Sequence, residues 1–478
     1  MSRQRIGERR IELADLLRFA EASGDWNPIH TDSVAARRLM TGGVVAHGMS
    51  TLLWMLDEHL RANGQVPSSL TASFPRPLAI GDVAILERIE DQGGRQRLSV
   101  LQGGGEISSV LLDAAVGSRL SGSPPQALVV RGTPTSNSFD QLKQASGSLL
   151  APGIDARDRA DYPHVYASLG PSAIAGLRAL STLVGMYCPG LHSLIASVRL
   201  SFEPAAVGDH LEWKVARHST PHAPLRIAFR GSGLDGHVDA FVRPGPVSQP
   251  AASAMRSAVA PGEFAEQTAL VIGGSRGLGE VVAKLIGLGS GTVIVTYHEG
   301  RSDAERVSAE IREAGGRCST QPFDAANAGR DINAILDSGV APTHVYYFAA
   351  PRIGRSKSRI FSQPALEQFM QIFVEGFGHV AAALCARKQR ARLFYPSTVF
   401  IDDLPAEQGE YIAAKAAGEA LCRHLARHTA LEIHHKRLPK LLTDQAAGLL
   451  SRGAGDTVPA MLDIVHAMNA IPTSPENA

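Results

Sequence analysis

Two groups of residues in this chain have the types and spacing to do chemistry. The first is GDWNPIH, Gly24 to His30, followed from Gly42 by the apolar run GGVVAHGMSTLLWML. Asp25 and His30 stand five residues apart, with Asn27 and Pro28 between them. That spacing suits a turn, half of a metal site or an acid/base pair. Pro28 fixes its own φ, so backbone geometry stiffens the placement of both groups. A carboxylate and an imidazole held together can deliver one proton while another is withdrawn. No second His or Cys cluster lies within ligand reach, so no metal is expected. The second group is split between GGSRGLGE, Gly273 to Glu280, and YIAAK, Tyr411 to Lys415. A Gly-rich turn between an apolar strand and a helix lets backbone N–H groups approach a pyrophosphate. Tyr411 and Lys415 fall one helical turn apart on one face.

The elements that must position these residues follow from the rest of the chain. Its 478 residues suffice for about two to four domains. A net charge of +1 and a charged fraction of 19% give no basic nucleic-acid footprint and no acidic tail. No uncharged apolar run reaches the length of a membrane span, so no membrane segment is expected. The basic start MSRQRIGERRIEL lacks the apolar core of a secretory signal. The four cysteines, Cys188, Cys318, Cys385 and Cys422, show no metal or disulfide spacing and fit a reducing cytoplasm.

Composition breaks occur around Ser121–Ser138 and from Pro244, where PGPVSQPAASAMRSAVAPGEF separates domains. Before the second break, SLTASFPRPLAIGDVAILERI (Ser69–Ile89) can be laid over LIASVRLSFEPAAVGDHLEWKV (Leu194–Val215). Each is preceded by an apolar helix, GMSTLLWMLDEHL or GLRALSTLVGMYC, so two repeats of about 120 residues are expected. After it, TALVIGG, a helical stretch and TVIVTY show the alternation of a parallel α/β sheet. The boundaries fall at 1–122, 123–245, a linker over 246–265, and 266–478.

GDWNPIHTDSVAARRLMTGGVVAHGM resembles the signature of MaoC-like, (R)-specific enoyl-thioester hydratases and dehydratases. The resemblance covers roughly Ile11 to Gly117, with a weaker copy to about Arg243. It implies a hotdog fold, an antiparallel sheet wrapped around one long apolar helix, here AHGMSTLLWML. It also implies Asp25 and His30 as the catalytic pair and Asn27 as a residue ordering the site or its water. The thioester oxygen would be held by the backbone N–H of Gly48 at the start of that helix, helped by the helix dipole. His47 reads as a structural residue at the helix start. The second copy, YPHVYASLGPSAIAGL, keeps His164 but lacks the acid/imidazole motif, so it is expected to supply the other wall of an acyl tunnel. Fused double-hotdog hydratases usually carry the motif in the second half; here it lies in the first.

The C-terminal motifs resemble the short-chain dehydrogenase/reductase family, a Rossmann-type doubly wound sheet. The resemblance implies cofactor contacts from Gly273, Ser275, Arg276, Gly277, Leu278 and Gly279. The second strand ends in Tyr297 and His298 where NAD-selective sites place an acid. Arg276 and Arg301 suit a 2′-phosphate, so NADP(H) is favoured. Asp324 resembles the residue that contacts adenine. Lys415 would hold the ribose and lower the Tyr411 pKa, Tyr411 would protonate a carbonyl, and Ser397 would bind the substrate oxygen. Ser397 lies fourteen residues before Tyr411, one more than usual, which makes Thr398 a substitute. HVYYFAAPRIG replaces the usual Asn-Ala-Gly, Phe373 stands near the place of the tetrad Asn, and KRLPKLLTDQ replaces a Pro-Gly loop. The chain after Pro439 is short enough that the last strand is expected to be missing.

Together the two resemblances imply an α+β double hotdog followed by an α/β Rossmann domain. They imply a bifunctional enzyme that reduces 3-oxoacyl thioesters with NADPH to the (3R)-hydroxyacyl form and dehydrates that to the trans-2-enoyl thioester. The expected partners are acyl-CoA or acyl carrier protein thioesters and a second copy of the chain, with neither nucleic acid nor membrane. Two alternatives stand beside this. In one, only the hydratase works and the reductase-like domain is a nucleotide-binding or dimerising platform. In the other, the chain is a non-catalytic partner in a carrier-protein assembly line.

Overall fold

The structure is a computed structural model that describes residues 3–39, 41–63, 65–90, 95–113, 117–120, 125–204, 208–220, 223–353, 361–406, 408–444 and 454–470. Among these residues the chain divides into two compact units, one ending at Gly245 and the other beginning at Pro246.

The first unit is built on ten strands: β1 (Arg3–Arg10), β2 (Ser69–Ser73), β3 (Val83–Glu90), β4 (Gln96–Gln102), β5 (Gly105–Leu112), β6 (Ser146–Leu150), β7 (Ser193–Phe202), β8 (His210–Arg217), β9 (Leu225–Gly231) and β10 (Leu234–Val242). They form one antiparallel sheet in the order β1-β3-β4-β5-β2-β7-β10-β9-β8-β6. The second five strands thus repeat the order of the first five from the opposite edge. The halves join where β2 pairs β7, with Leu70 opposite Leu200 and Ala72 opposite Val198, all four buried.

Each half carries a long helix between its first and second strands, Gly48–Asn63 and Pro171–Thr182, the latter continued by a π-helical turn at Leu183–Tyr187. In the first helix Met49, Leu52, Leu53, Met55 and Leu56 are fully buried. The second is buried from Pro171 through Ser181, as expected of a helix with no polar face. It begins five residues earlier than GLRALSTLVGMYC suggests, because Gly170 at φ 94° lets the chain turn sharply into Pro171. A side chain at Gly176 would press on Leu234 and the Ser232 carbonyl, so its bareness lets helix and sheet approach.

The second unit has six parallel strands: β11 (Thr268–Ile272), β12 (Thr292–Tyr297), β13 (Arg317–Pro322), β14 (His344–Tyr347), β15 (Arg392–Thr398) and β16 (Glu432–Leu438). Their order is β13-β12-β11-β14-β15-β16. Ala269, Leu270, Val271 and Ile272 of β11 are all buried, the continuous apolar run of a strand covered on both faces. The order reverses between β11 and β14, which opens a crevice at the carboxyl end of β11. The segment 246–265, expected as a linker, contributes Met255, Val259 and Phe264 to this core. Beyond β16 the described residues add an isolated bridge between Leu441 and Gly455 and the helix Thr457–Asn469, whose Met461, Ile464, Val465 and Met468 join the core, but no further strand.

One described helix, Gln363–Ala386, is long and apolar enough by composition to cross a membrane. In the fold its Phe369, Phe373, Phe377, Val380 and Leu384 are buried in the core.

Candidate functional site

In the first unit, Asp25 follows the helix Leu13–Ser23, which ends where Gly24 adopts φ 84°. The Asp25 N–H donates to the Ser23 hydroxyl oxygen at 3.1 Å. Asn27 caps the short helix Pro28–Thr31 by accepting from the Ile29 N–H, and that helix carries His30. Asp25, His30 and His47 each offer an atom within 4.8 Å of the others. The His30 and His47 rings stack with centroids 3.9 Å apart and planes 27° apart. Stacked rings direct their in-plane lone pairs along nearly parallel planes, a poor arrangement for sharing one ion.

The roles of the nitrogens follow from their partners. The Val45 carbonyl can only accept, so His30 Nδ1–H donates to it at 2.7 Å and Nε2 keeps its lone pair. His47 Nε2–H donates in the same way to the Asp25 carbonyl at 3.1 Å and ties the helix start to the acid's backbone. Burial raises the Asp25 pKa, against the opposing pull of His30 and of the Ser181 hydroxyl. Burial lowers that of His30, and the Asp25 charge opposes it. The outcome is a buried acid inclined to hold its proton beside an imidazole inclined to stay neutral. Gly48 begins its helix beside Phe74 and Ile195, and its N–H makes no hydrogen bond among the described residues.

Sequence reasoning missed the residues that hold this pair, because they come from the second repeat. Ser181 Oγ donates to Asp25 Oδ2 at 2.7 Å. Asn27 Nδ2 donates to the carbonyls of Gly185 at 2.8 Å and Gly190 at 3.2 Å, with Leu191 at 3.4 Å. A side chain on Gly185 would collide with the Asp25 carboxylate. The signal in the sequence was a pair of small residues, Ser181 and Gly185, four apart in a predominantly apolar helix. His164, the remnant in the second copy, lies elsewhere: Asp57 accepts from its backbone N–H at 2.8 Å and caps its short helix.

In the second unit, the turn after β11 leads into the helix Gly277–Leu288. Gly273 and Gly277 adopt φ of 78° and 61°, which side chains resist. A side chain on Gly279 would strike the Gly273 carbonyl. Ser275 is buried, and Leu278 packs on the core behind the turn. The helix start and the bare turn fit a pyrophosphate. The charged residues assigned to the 2′-phosphate are both engaged within the protein. Arg276 pairs with Asp444 at 2.5 Å, and the exposed Arg301 donates to Glu305 at 2.7 Å. His298 is exposed just beyond β12. Asp324 accepts from the Ala326 N–H at 3.0 Å and from Asn327 Nδ2 at 2.6 Å.

Tyr411 and Lys415 lie on the helix Gly409–His428, as their spacing requires. Ser397, expected to bind the substrate oxygen, is buried with its Oγ donating to Glu419 Oε1 at 2.6 Å, and Arg437 clamps the same carboxylate. The hydroxyl that acts on the Tyr411 phenol, pulling its pKa down against burial, is that of Thr398. Neighbours on a strand point to opposite faces, so a shift of one residue exchanges the site for the core. Lys415 Nζ sits 3.8 Å over the Phe373 ring and 6.0 Å from the centre of the Tyr411 ring, and it donates to the Pro396 carbonyl at 2.6 Å. Burial pushes the Tyr411 phenol up to about 12 and the Lys415 ammonium down to about 7. Phe369 and Phe373 both meet the Tyr411 ring edge-on at 5.7 Å.

The second unit thus has the strand order and glycine turn of the doubly wound dinucleotide-binding class, and the first pairs an antiparallel sheet with a buried acid/imidazole site. Residues 2–101 match the family model described as MaoC like domain, so the chain carries a MaoC-like domain at its N-terminal end. A 3-hydroxybutyryl-CoA dehydratase of Methylorubrum extorquens is 37% identical over 81 residues, 16% of this chain and 52% of that enzyme. The chain therefore spans about half the length of this curated relative. Among solved structures, the chain is similar to a short chain dehydrogenase from Burkholderia cenocepacia in complex with NADP. That structure is 19% identical with a TM-score of 0.39, over 45% of this chain and 94% of the other. It is also similar to a 3-oxoacyl (acyl-carrier-protein) reductase from Agrobacterium tumefaciens with NADP bound. There the identity is 19% and the TM-score 0.38, over 42% of this chain and 86% of the other.

Proposed function

We propose that this chain is an acyl-thioester enzyme whose first unit adds or removes water across the Cα–Cβ bond of a 3-hydroxyacyl/trans-2-enoyl pair. The observation that carries the reading is the Asp25/His30 pair, with the acid held by Ser181 and Asn27 anchored on Gly185. In dehydration, His30 Nε2 takes the Cα proton, the Gly48 N–H holds the oxygen on which charge develops, and protonated Asp25 gives its proton to the departing hydroxyl. Hydration runs the same steps backwards. The repeated strand order supports reading the unit as two hotdog folds, with the second copy supplying support for the site.

The second unit is read as an NADP(H)-dependent 3-oxoacyl-thioester reductase that makes the 3-hydroxyacyl substrate of the first. Gly273, Ser275, Gly277 and Gly279 would hold the pyrophosphate at the helix start, and Tyr297 at the end of β12 offers no acid for a ribose diol. When bound, the cofactor supplies the hydride. Thr398 orients the ketone oxygen and Tyr411 delivers the proton. The carrier is coenzyme A or an acyl carrier protein.

A second reading rests on the enclosure of Lys415 by Phe373, Tyr395 and Tyr411, which favours a nucleotide-binding unit without turnover. The experiment that decides is to give the purified protein NADPH and a short 3-oxoacyl thioester on each carrier and follow the acyl mass. A gain of two hydrogens followed by loss of water is expected. Loss of water from a 3-hydroxyacyl thioester, with the 3-oxoacyl mass unchanged on both carriers, favours the second reading. No water lost or gained on either carrier overturns the first unit's assignment.

A further inference from the structure

Arg243 follows β10 and is only 2% exposed. Its backbone N–H donates to the His192 carbonyl at 2.7 Å, and its Nη2 donates to the Leu191 carbonyl at 2.6 Å. The Leu191 carbonyl is the same oxygen that Asn27 Nδ2 reaches at 3.4 Å, so the guanidinium and the catalytic loop share one anchor. Its charge acts on His30 and on His192. Among the described residues, Arg243 Nε and Nη1 and the neighbouring His192 Nδ1 have no hydrogen-bond acceptor or donor opposite them. Nor does any carboxylate pair with Arg243 in the described residues.

A guanidinium out of water with two unmatched nitrogens is costly, and proteins retain such a group where it meets an anion. The Leu191 carbonyl uses one proton of Nη2. Whichever proton that is, the other lies beside either Nε–H or Nη1–H, so a buried two-donor fork stays unpaired. A single carbonyl oxygen fills half of a fork, whereas a carboxylate fills both prongs and neutralises the charge.

We propose that Arg243 is a specificity-determining residue of the Asp25/His30 site that binds a carboxylate carried on the acyl group, making carboxylated acyl thioesters the preferred substrate class. This rests on the reading of that site as a hydratase/dehydratase. Arg243 sets which acyl group is held; the acid, the imidazole and the Gly48 N–H act on the thioester end.

The test compares ligands that differ by one carboxylate. Binding of glutaryl-CoA and butyryl-CoA, both unable to react, is measured by calorimetry on the full chain. The wild type is expected to bind glutaryl-CoA at least about tenfold more tightly, roughly the worth of one charged hydrogen-bonded pair. In Arg243→Gln that ratio should collapse to within about threefold, and in Arg243→Lys, which keeps the charge and loses the fork, it should fall in between. A purely structural role would weaken both ligands and leave the ratio intact, which overturns the proposal. Equal affinities in the wild type also overturn it, and that arm needs no variant to fold. Hydration of crotonyl-CoA and of its carboxylated counterpart glutaconyl-CoA is read separately. A binding preference without hydration of either would sink the hydratase reading while supporting the Arg243 site.

Discussion

Ser181 and Asp25, 156 positions apart in the chain, are joined by a 2.7 Å hydrogen bond from the serine hydroxyl to the buried carboxylate. The donor sits on the central helix of one repeat and the acceptor on the Asp25–His30 loop of the other. Ser181 pulls the Asp25 pKa down while burial, the larger effect, drives it up. Ser181→Ala should therefore raise the pKa further and shift the Asp25 limb of the hydration pH profile to higher pH. Loss of one bond to a charged group is worth about 1.5–3 kcal/mol, so kcat/KM should fall about 10- to 100-fold. A pH–rate profile in which that limb stays in place would detach Ser181 from the acid.

Gly185 gives a steric version of the same test. A methyl group there would collide with the Asp25 carboxylate and push it off the His30 side. Misplacing a reacting group by an ångström costs about 100-fold, so Gly185→Ala should lose hydration on that scale while ketone reduction continues. If both activities fall together with the melting temperature, the effect is global overpacking and the local argument fails.

The two hydroxyls at the end of β15 should behave oppositely. Thr398→Ala removes the partner of Tyr411 and should slow reduction about 100-fold. Ser397→Ala removes a donor to Glu419, within its Arg437 clamp, and should cost about 1–2 kcal/mol of stability with turnover nearly intact. Steady-state reduction and chemical denaturation on both variants check the assignment; the reverse pattern would restore Ser397 to the site.

Lys415 predicts a pH dependence of stability. Burial lowers its folded pKa from 10.5 to about 7, so between those values the unfolded chain binds the extra proton. Stability must then rise with pH over that window, by at most about 1.4 kcal/mol per unit, and flatten below pH 7. The cation–π contact with Phe373 reduces the slope. In Lys415→Met this rise between pH 7 and 9 should largely disappear, as denaturation midpoints would show. An equal slope in wild type and variant would mean the ammonium is not buried in solution.

Tyr411→Phe and Asp25→Asn divide the labour. The first should abolish ketone reduction and leave hydration, and the second should do the reverse. Loss of both activities in either variant, with the fold retained, would undo the assignment of one reaction to each unit.

The sequence by itself determined what is local. Gly24, Asn27 and Pro28 set the loop between Asp25 and His30, and a short range of chain brings the two within reach of each other. Gly273 and Gly277 at positive φ, with the bare Gly279, specify the tight turn after β11 because glycine adopts that backbone far more readily than residues with a side chain. The apolar run from Gly48 and the Tyr411/Lys415 spacing likewise follow from helical periodicity. Only the tertiary structure decided what those residues meet. Ser181 and Gly185 reach Asp25 because the two repeats join along β2 and β7, a pairing no local pattern encodes. Ser397 and Thr398 differ by one position, and the strand face each takes is fixed by packing against Glu419 and Tyr411. Arg276 drew Asp444 across 168 positions, and Lys415 drew Phe373, because a charge leaving water must find a partner wherever the fold supplies one.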